Sequence, residues 1–131
     1  MCLTYGFRKL NEYELWGSGT PFREFLWSED MADASVHILE NISFDDLKGN
    51  STEVRNCHIN IGTGKEITIK NLAEKIKETI GYNGNIVWDS SKPDGTMRKL
   101  CNVDKLHSLG WKHKVEIDEG IARLYKWYLE N

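Results

Sequence analysis

Several features that define whole classes of protein are missing from this sequence. No run approaches about eighteen consecutive apolar residues, so no segment predicts a helix that crosses a membrane. Only two prolines occur in 131 residues, and 40% of the residues are hydrophobic, which excludes collagen-like and disordered compositions. The first nine residues place their basic side chains after a very short apolar stretch, the reverse of a secretory signal. We therefore expect a globular, cytoplasmic protein with one core.

Cysteine and histidine are too few and too scattered to indicate a disulfide framework or a metal site. Cys2, Cys57 and Cys101 form no Cys-x-x-Cys pair, and their odd number leaves one unpaired, so we expect reduced thiols. The four histidines, at positions 37, 58, 107 and 113, lack a second ligand at metal spacing. A net charge of −3 with interspersed signs provides no basic face for nucleic acid. We expect no metal, nucleic acid or membrane as a partner.

The spacing of apolar residues predicts an α/β arrangement. A short apolar strand, an amphipathic helix from its cap at Thr68 to Gly81, and a second strand follow one another, which is the order of a crossover unit. Ser28 is predicted to cap another helix, with Glu29 and Asp30 in its first turn. The predicted strands cover residues 12–15, 24–27, 57–61 and 85–89, and the other predicted helices cover 28–41, 103–109 and 117–129. We expect a polar surface loop with one possible helical turn between 43 and 55.

Periodicity also predicts which side chains these helices bury. The inward face of helix 28–41 is expected to carry Met31, Ala34, Ser35, Ile38, Leu39 and Ile42, and that of the last helix Ile121, Leu124, Tyr125 and Tyr128. Gly120 lowers the helix propensity of the last helix by roughly 1 kcal/mol, which indicates close packing at that position.

Two stretches carry the chemistry of the sequence. In the first, Arg23 follows the turn Gly17-Ser-Gly19 and Pro21 among aromatic residues, where its guanidinium could bind a phosphate. Pairing of Arg23 with Glu24 or Glu29 beside an ordinary core turn explains the same residues equally well. The second stretch, residues 90–99, contains a Pro-Asp-Gly turn followed by two cations. The Gly62-Thr-Gly64 turn lacks the third glycine of a dinucleotide fingerprint and the full pattern of a P-loop.

Five blocks of sequence carry a family resemblance. They are Trp16-Gly-Ser-Gly-Thr-Pro-Phe-Arg-Glu-Phe-Leu, Ser28-Glu-Asp-Met-Ala-Asp-Ala, Asn60-Ile-Gly-Thr-Gly, Ser91-Lys-Pro-Asp-Gly-Thr-Met-Arg-Lys-Leu and Leu109-Gly-Trp. Together, from about Leu15 to Asn131, they resemble the C-terminal part of the GDP-L-fucose synthase family, a branch of the extended short-chain dehydrogenases/reductases. The resemblance implies an α/β substrate-binding portion of an NADP-dependent enzyme that converts GDP-4-keto-6-deoxy-D-mannose to GDP-L-fucose. It also implies that Trp16, Arg23, Asp94 and Lys99 contact the GDP-sugar.

The sequence departs from that family in what it lacks. It contains no Gly-x-x-Gly-x-x-Gly turn for a cofactor, and we assign it no catalytic residue, because Tyr5 and Lys9 do not stand in the family's context. Residues 1–14 form an unmatched segment and residues 15–131 a GDP-sugar-binding portion without a Rossmann domain. We therefore expect no NADP(H) bound by this chain, no activity by this chain alone, and self-association or a homodimer through uncovered apolar surface. A non-catalytic GDP-sugar-binding remnant, an inert truncated product, and part of another nucleotide-sugar epimerase or dehydratase remain alternatives.

Overall fold

A computed structural model of the chain describes residues 11–50 and 52–131, so Tyr5 and Lys9 lie outside the described residues. Within these ranges the chain is α/β, as the sequence predicts. The strands are β1 (Glu12–Trp16), β2 (Phe22–Arg23), β3 (Ile67–Thr68) and β4 (Asn85–Asp89). The helices are α1 (Ser28–Asn41), α2 (Phe44–Lys48), α3 (Ile69–Ile80), α4 (Asp104–Ser108) and α5 (Ile117–Glu130). None of these helices is long and apolar enough to cross a membrane.

The chain divides into two compact units. The described residues of unit 1 are 11–23, 66–99 and 121–131, and unit 2 consists of residues 24–65 and 100–120. Helix α5 crosses the boundary between residues 120 and 121.

Unit 1 contains two small sheets. Strand β1 pairs in parallel with β4, with Glu12 opposite Asn85 and Trp16 opposite Asp89. Strand β2 pairs antiparallel with β3, with Phe22 opposite Thr68. The Thr68 hydroxyl then accepts a hydrogen bond from the Asn71 N–H at 3.1 Å and caps α3, as predicted. Helix α3 ends at Gly81, which adopts the left-handed conformation with φ of 68°.

The core of unit 2 is a cluster of Ala34, Leu106 and Trp111, which are at most 4% exposed. The Trp111 indole N–H donates to Asp33 Oδ2 at 2.8 Å, so the ring is buried without losing its hydrogen bond. Partly buried side chains surround this cluster: Leu26, Ile38, Ile59 and Ile61.

One lysine binds the backbone of α2 and of the polar segment that follows it. The Lys105 ammonium donates to the backbone carbonyl oxygens of Leu47, Asn56 and His58, at 3.3, 2.8 and 3.4 Å. Helix α2 is the helical turn that the sequence predicts between residues 43 and 55. Its cap is Ser43, whose hydroxyl accepts from the Asp46 N–H while the Asp46 carboxylate accepts from the Ser43 N–H.

The predicted strand at 57–61 is wrong, and so is the predicted crossover unit that begins with it. Residues 57–61 form no ladder, and the strand before α3 is β3, while β4 pairs with β1. The apolar pattern here reflects burial of Ile59 and Ile61 against the core, whereas the carbonyl of His58 accepts from Lys105. Burial without a neighbouring strand produces the same sequence pattern as a strand.

The predicted strand at 24–27 is also wrong. The observed strand is β2, which ends at Arg23 because its partner β3 is only two residues long before α3 begins. Ser28 is likewise not the cap of α1, because Trp27 occupies the N-cap position without a side-chain bond to the first turn.

The predicted inward faces of the long helices are wrong in part. Asp30 and Ala34 are the buried residues of α1, whereas Met31 is 42% and Leu39 84% exposed. In α5, Leu124 is 58% exposed although the sequence predicts that it faces inward. At Gly120 an added Cβ would lie 3.4 Å from the Trp27 ring, which agrees with the predicted close packing.

Candidate functional site

The turn Gly17-Ser18-Gly19 requires both of its glycines. They adopt φ values of 86° and 72°, which favour glycine. A Cβ on Gly17 would lie 2.5 Å from Asp94 Oδ1, and one on Gly19 would lie 2.6 Å from the Trp88 ring. The turn is therefore packed directly between the 90–99 segment and β4.

Asp94 joins this turn to the 90–99 segment. Its carboxylate accepts from the Ser18 N–H at 2.8 Å and from the Ser18 hydroxyl at 2.6 Å. The hydroxyl also lies 2.6 Å from Thr20 Oγ1. The hydrogen bonds from the Ser18 hydroxyl and N–H hold the pKa of Asp94 below its usual value. Asp94 is therefore an ionised side chain that already has protein donors on both oxygens.

Arg23 is fixed at one end of its guanidinium. Nη1 donates to the carbonyl oxygen of Thr96 at 2.7 Å and to that of Phe22, and a Cβ on Gly95 would lie 3.1 Å from Nη2. Among the described residues, Nε and Nη2 have no acceptor. The arginine is thus held by backbone carbonyls and keeps donors for an anion.

The alternative pairing of Arg23 with Glu24 or Glu29 is not observed among the described contacts. The Glu24 carboxylate accepts from the N–H groups of Thr63 and Gly64, at 2.6 and 2.7 Å. Glu29 accepts from the Trp27 indole at 3.1 Å.

Two further contacts attach the 90–99 segment to β2 and to the residue that precedes β3. The Phe22 N–H donates to the Met97 carbonyl at 2.8 Å. The Arg98 guanidinium makes a bidentate pair with Glu66, at 2.9 Å from Nε and 2.7 Å from Nη2. No local pattern in the sequence predicts the roles of Ser18 and Arg98, because each depends on a residue more than thirty positions away in the chain.

A small open cavity of about 110 Å³ lies beside these contacts within unit 1. It contains three of the four predicted substrate-binding residues, Trp16, Arg23 and Asp94, and not Lys99. Lys99 is exposed, and Trp16 is 73% exposed, with the Lys92 ammonium 5.5 Å from its ring centroid. The remaining lining residues are Gly19, Pro21, Ile69, Pro93 and Gly95.

The glycine turn of unit 2 already holds an anion from the chain itself. Besides Thr63 and Gly64, the Cys101 N–H donates to Glu24, at 3.0 Å. Partial burial raises the pKa of Glu24, but these donors outweigh it and leave the pKa below its usual value. Burial and the charge of Glu24 raise the pKa of the Cys101 thiol.

Across residues 11–50 and 52–131, no group of three histidine, cysteine or acidic side chains is arranged to hold a metal.

The chain is similar to known enzymes along most of its length. The model of the NAD dependent epimerase/dehydratase family matches residues 3–62. The GDP-L-fucose synthase of Escherichia coli is 50% identical over 117 residues, which cover 89% of this chain and 36% of that protein. A probable GDP-L-fucose synthase of Oryza sativa is 47% identical, over 92% of this chain and 33% of that protein.

A solved structure agrees with these relatives. A GDP-6-OMe-4-keto-L-xylo-heptose reductase from C. jejuni superposes with a TM-score of 0.85 at 44% identity, over 92% of this chain and 34% of that one. This chain therefore spans about a third of the length of the proteins it matches. Sequence and fold together show that this chain is related to the GDP-L-fucose synthases and to a GDP-sugar reductase, and that about half of it matches the NAD dependent epimerase/dehydratase family.

Proposed function

We propose that residues 15–131 are the GDP-sugar-binding C-terminal portion of an NADP-dependent epimerase/reductase that converts GDP-4-keto-6-deoxy-D-mannose to GDP-L-fucose. The observation that carries this proposal is the cavity of unit 1. It unites Trp16 and Arg23 with Asp94, more than seventy residues further along the chain. The two stretches that carry the chemistry of the sequence therefore line one site.

Each of these side chains has a role that its surroundings support. Arg23 keeps donors for a diphosphate oxygen, and hydrogen bonds to a charged group contribute about 1.5–3 kcal/mol. The exposed Trp16 ring provides a flat apolar wall for a base or a sugar. Asp94 can still accept from a sugar hydroxyl with a remaining lone pair, but its first role is to hold Ser18. Lys99 is included in this proposal because it matches a substrate-binding position of the family.

The size of the cavity limits how much of the ligand this part of the chain encloses. Complete ligand sites measure about 300–1,000 Å³, whereas this cavity measures about 110 Å³. We infer that the cavity holds the diphosphate or the sugar and that the rest of the GDP-sugar extends beyond it.

In the part of the chain that the structure describes, the turn Gly62-Thr63-Gly64 does not fit the dinucleotide cofactor of the family. A phosphate-binding turn presents backbone N–H groups to its ligand, but those of Thr63 and Gly64 donate to the Glu24 carboxylate. We therefore place NADP(H) outside this chain and expect no oxidation of NADPH with GDP-4-keto-6-deoxy-D-mannose by the 131 residues alone. Measurable turnover by the purified chain would contradict this expectation.

Calorimetry of the full chain with GDP tests the proposal. We expect heat of binding at millimolar GDP, and an affinity about ten- to a hundredfold lower for Arg23→Ala. Arg23→Lys should lie between the two, because it keeps a charge but not the planar fork. Arg55→Ala is the matched control, because Arg55 is exposed and lies in unit 2. No heat from the wild type, or equal losses in Arg23→Ala and Arg55→Ala, would overturn the proposal.

A second candidate function is supported by the relative of known structure. That protein is a reductase of a GDP-linked heptose, so the sugar of this chain could be a GDP-heptose. Competition between GDP-mannose, GDP-L-fucose and a GDP-heptose for the same site separates the two. Binding of UDP as tight as that of GDP would instead indicate another nucleotide-sugar enzyme.

We also propose a cytoplasmic protein that self-associates or forms a homodimer. Large apolar side chains stay exposed in both units, among them Leu39 at 84% and Trp127 at 60%. A compact monomer in size-exclusion chromatography would contradict self-association.

A further inference from the structure

Lys92 contacts a residue that lines the cavity. The Lys92 ammonium stands 5.5 Å from the centroid of the Trp16 ring, and Trp16 lines the cavity. The next two residues, Pro93 and Asp94, also line it, whereas neither Lys92 nor Lys99 is a lining residue. Arg23 is thus a cation of the cavity wall, and Lys92 is a second cation that stands over a neighbouring residue of that wall.

The backbone of Lys92 is held by a hydrogen bond, whereas its ammonium has no hydrogen-bond acceptor among the described residues. Its N–H donates to the Asp89 carbonyl at 3.2 Å, and the Asp89 carboxylate accepts from the Ser91 N–H at 3.0 Å. Pro93 restricts the backbone on the other side. A fixed base with a flexible four-carbon stem allows the ammonium to reach more than one partner from one position.

The ring contact is the weaker of the two contacts that this ammonium can make. A cation over an exposed indole is only weakly bound, whereas an ammonium that donates to a phosphate oxygen makes a charge-assisted hydrogen bond. Trp16 is 73% exposed, so water screens the contact further. A diphosphate beside Arg23 would therefore draw the ammonium away from the ring.

We propose that Lys92, together with Arg23, is a phosphate-binding cation of this site, and that its ammonium stands over the Trp16 ring until the ligand arrives. This inference rests on the proposed function. The ammonium leaves the ring and donates to a diphosphate oxygen. Lys92 thereby exchanges a weak contact with the ring for a charge-assisted hydrogen bond to the phosphate.

Calorimetry with two probes, GDP and guanosine, tests whether the Lys92 ammonium moves from the Trp16 ring to the diphosphate. Lys92→Ala should weaken GDP binding about five- to thirtyfold, while guanosine, which has no phosphate for the ammonium to bind, should bind about as well as to the wild type. Lys92→Arg should restore most of the GDP affinity. Lys112→Ala, at an exposed lysine of unit 2, is the matched control and should change GDP affinity by less than about twofold.

A spectroscopic readout follows the ammonium directly. With lysine labelled at the ε-carbon, the Lys92 resonance should be displaced by the Trp16 ring, return toward its normal position on addition of GDP, and lose the displacement in Trp16→Leu. An unmoved resonance on addition of GDP would overturn the exchange even if Lys92→Ala weakens binding.

The outcomes separate this inference from the proposed function. If Arg23→Ala loses GDP while Lys92→Ala binds within twofold of the wild type, only the role of Lys92 is overturned. Equal loss of GDP and guanosine in Lys92→Ala would indicate a structural role and also overturn it. Absence of GDP binding by the wild type would overturn both.

Discussion

Each of the two units of this chain is stabilised internally by a different kind of interaction. Among the described residues, all the buried hydrophobic side chains of the core belong to unit 2: Ala34, Val103, Leu106, Trp111 and Val115. In unit 1 the buried positions are Gly17, Gly19 and Pro21, and their turn is held by hydrogen bonds to the 90–99 segment. Unit 2 depends on apolar packing, and unit 1 depends on directed polar contacts between loops.

Carboxylates show the same contrast. In unit 2, Asp30 is 3% exposed and accepts from the N–H groups of Lys114 and Val115, both at 2.9 Å. In unit 1, Asp94 makes comparable bonds to Ser18 at the edge of an open cavity. A buried carboxylate stabilises the fold, whereas one beside a cavity also determines where the lining residues stand. Changes in unit 2 should therefore alter stability, and changes in unit 1 should alter binding.

The largest effect is expected in the core of unit 2. Leu106 is fully buried, so Leu106→Ala should lower the free energy of unfolding by about 2–5 kcal/mol, measured by urea denaturation. Leu39→Ala, at a position that is 84% exposed, should change it by less than about 0.5 kcal/mol. Equal losses in the two variants would show that the apolar cluster does not hold unit 2 together.

Glu24→Gln should come next, with a loss of about 1–3 kcal/mol at pH 7 in urea denaturation. Oε1 accepts from Thr63 and Gly64 and Oε2 from Cys101, so a glutamine amide must point an N–H group at a donor. Glu40→Gln is the exposed control.

The pH dependence of stability tests the same role of the Glu24 carboxylate. Hydrogen bonds hold the pKa of Glu24 below its usual value, so its contribution is present above the unfolded value of about 4.3 and is lost as the pH falls through the folded pKa. Glu24→Gln should flatten the decline of stability below about pH 4. An unchanged acid limb in the variant would contradict the assignment.

Gly17→Ala should reduce both stability and GDP affinity, with a backbone cost of about 1 kcal/mol plus the contact with Asp94. Gly81→Ala is the control, because Gly81 also has a positive φ, 68°, but nothing lies within 4 Å of the added Cβ. Denaturation and calorimetry on both variants isolate the contact. If the two variants lose the same GDP affinity, packing against Asp94 does not position the site.

The smallest effect is expected for Ser18→Ala, which removes the hydroxyl from Asp94 but keeps the backbone N–H. GDP affinity should fall about two- to fivefold in calorimetry, with little change in the urea midpoint. Ser35→Ala, whose hydroxyl donates to the Met31 carbonyl within α1, is the control. A loss of stability without a loss of affinity would contradict the contrast between the units.

The sequence predicted elements well where one local signal decides them. Helix α3 lies between the cap at Thr68 and the left-handed Gly81, and both signals are visible in the chain. The segment 57–61 has the apolar pattern of a strand without being one, because burial and pairing leave the same pattern and pairing depends on distant residues. The inward face of α1 differs from the predicted one because a buried carboxylate, Asp30, occupies a position at which periodicity predicts an apolar residue.

The candidate site shows the same limit. Trp16, Arg23 and Asp94 could be named because they stand in blocks that resemble a family, and the fold places them on one cavity. Which of the two lysines stands beside Trp16 depends on how residues 90–99 turn after β4. Ser18 and Glu66 hold that path through Asp94 and Arg98, and each lies more than thirty positions away from its partner in the chain.

Lys105 has a consequence for how this chain can change over evolution. Its ammonium binds main-chain carbonyl oxygens at residues 47, 56 and 58, and every amino acid provides that oxygen. Substitutions of the side chains in that segment therefore keep these contacts, because the contacts depend on Lys105 of α4 and on the backbone oxygens alone. Insertions that shift the carbonyls, rather than substitutions, are what such a segment should fail to tolerate.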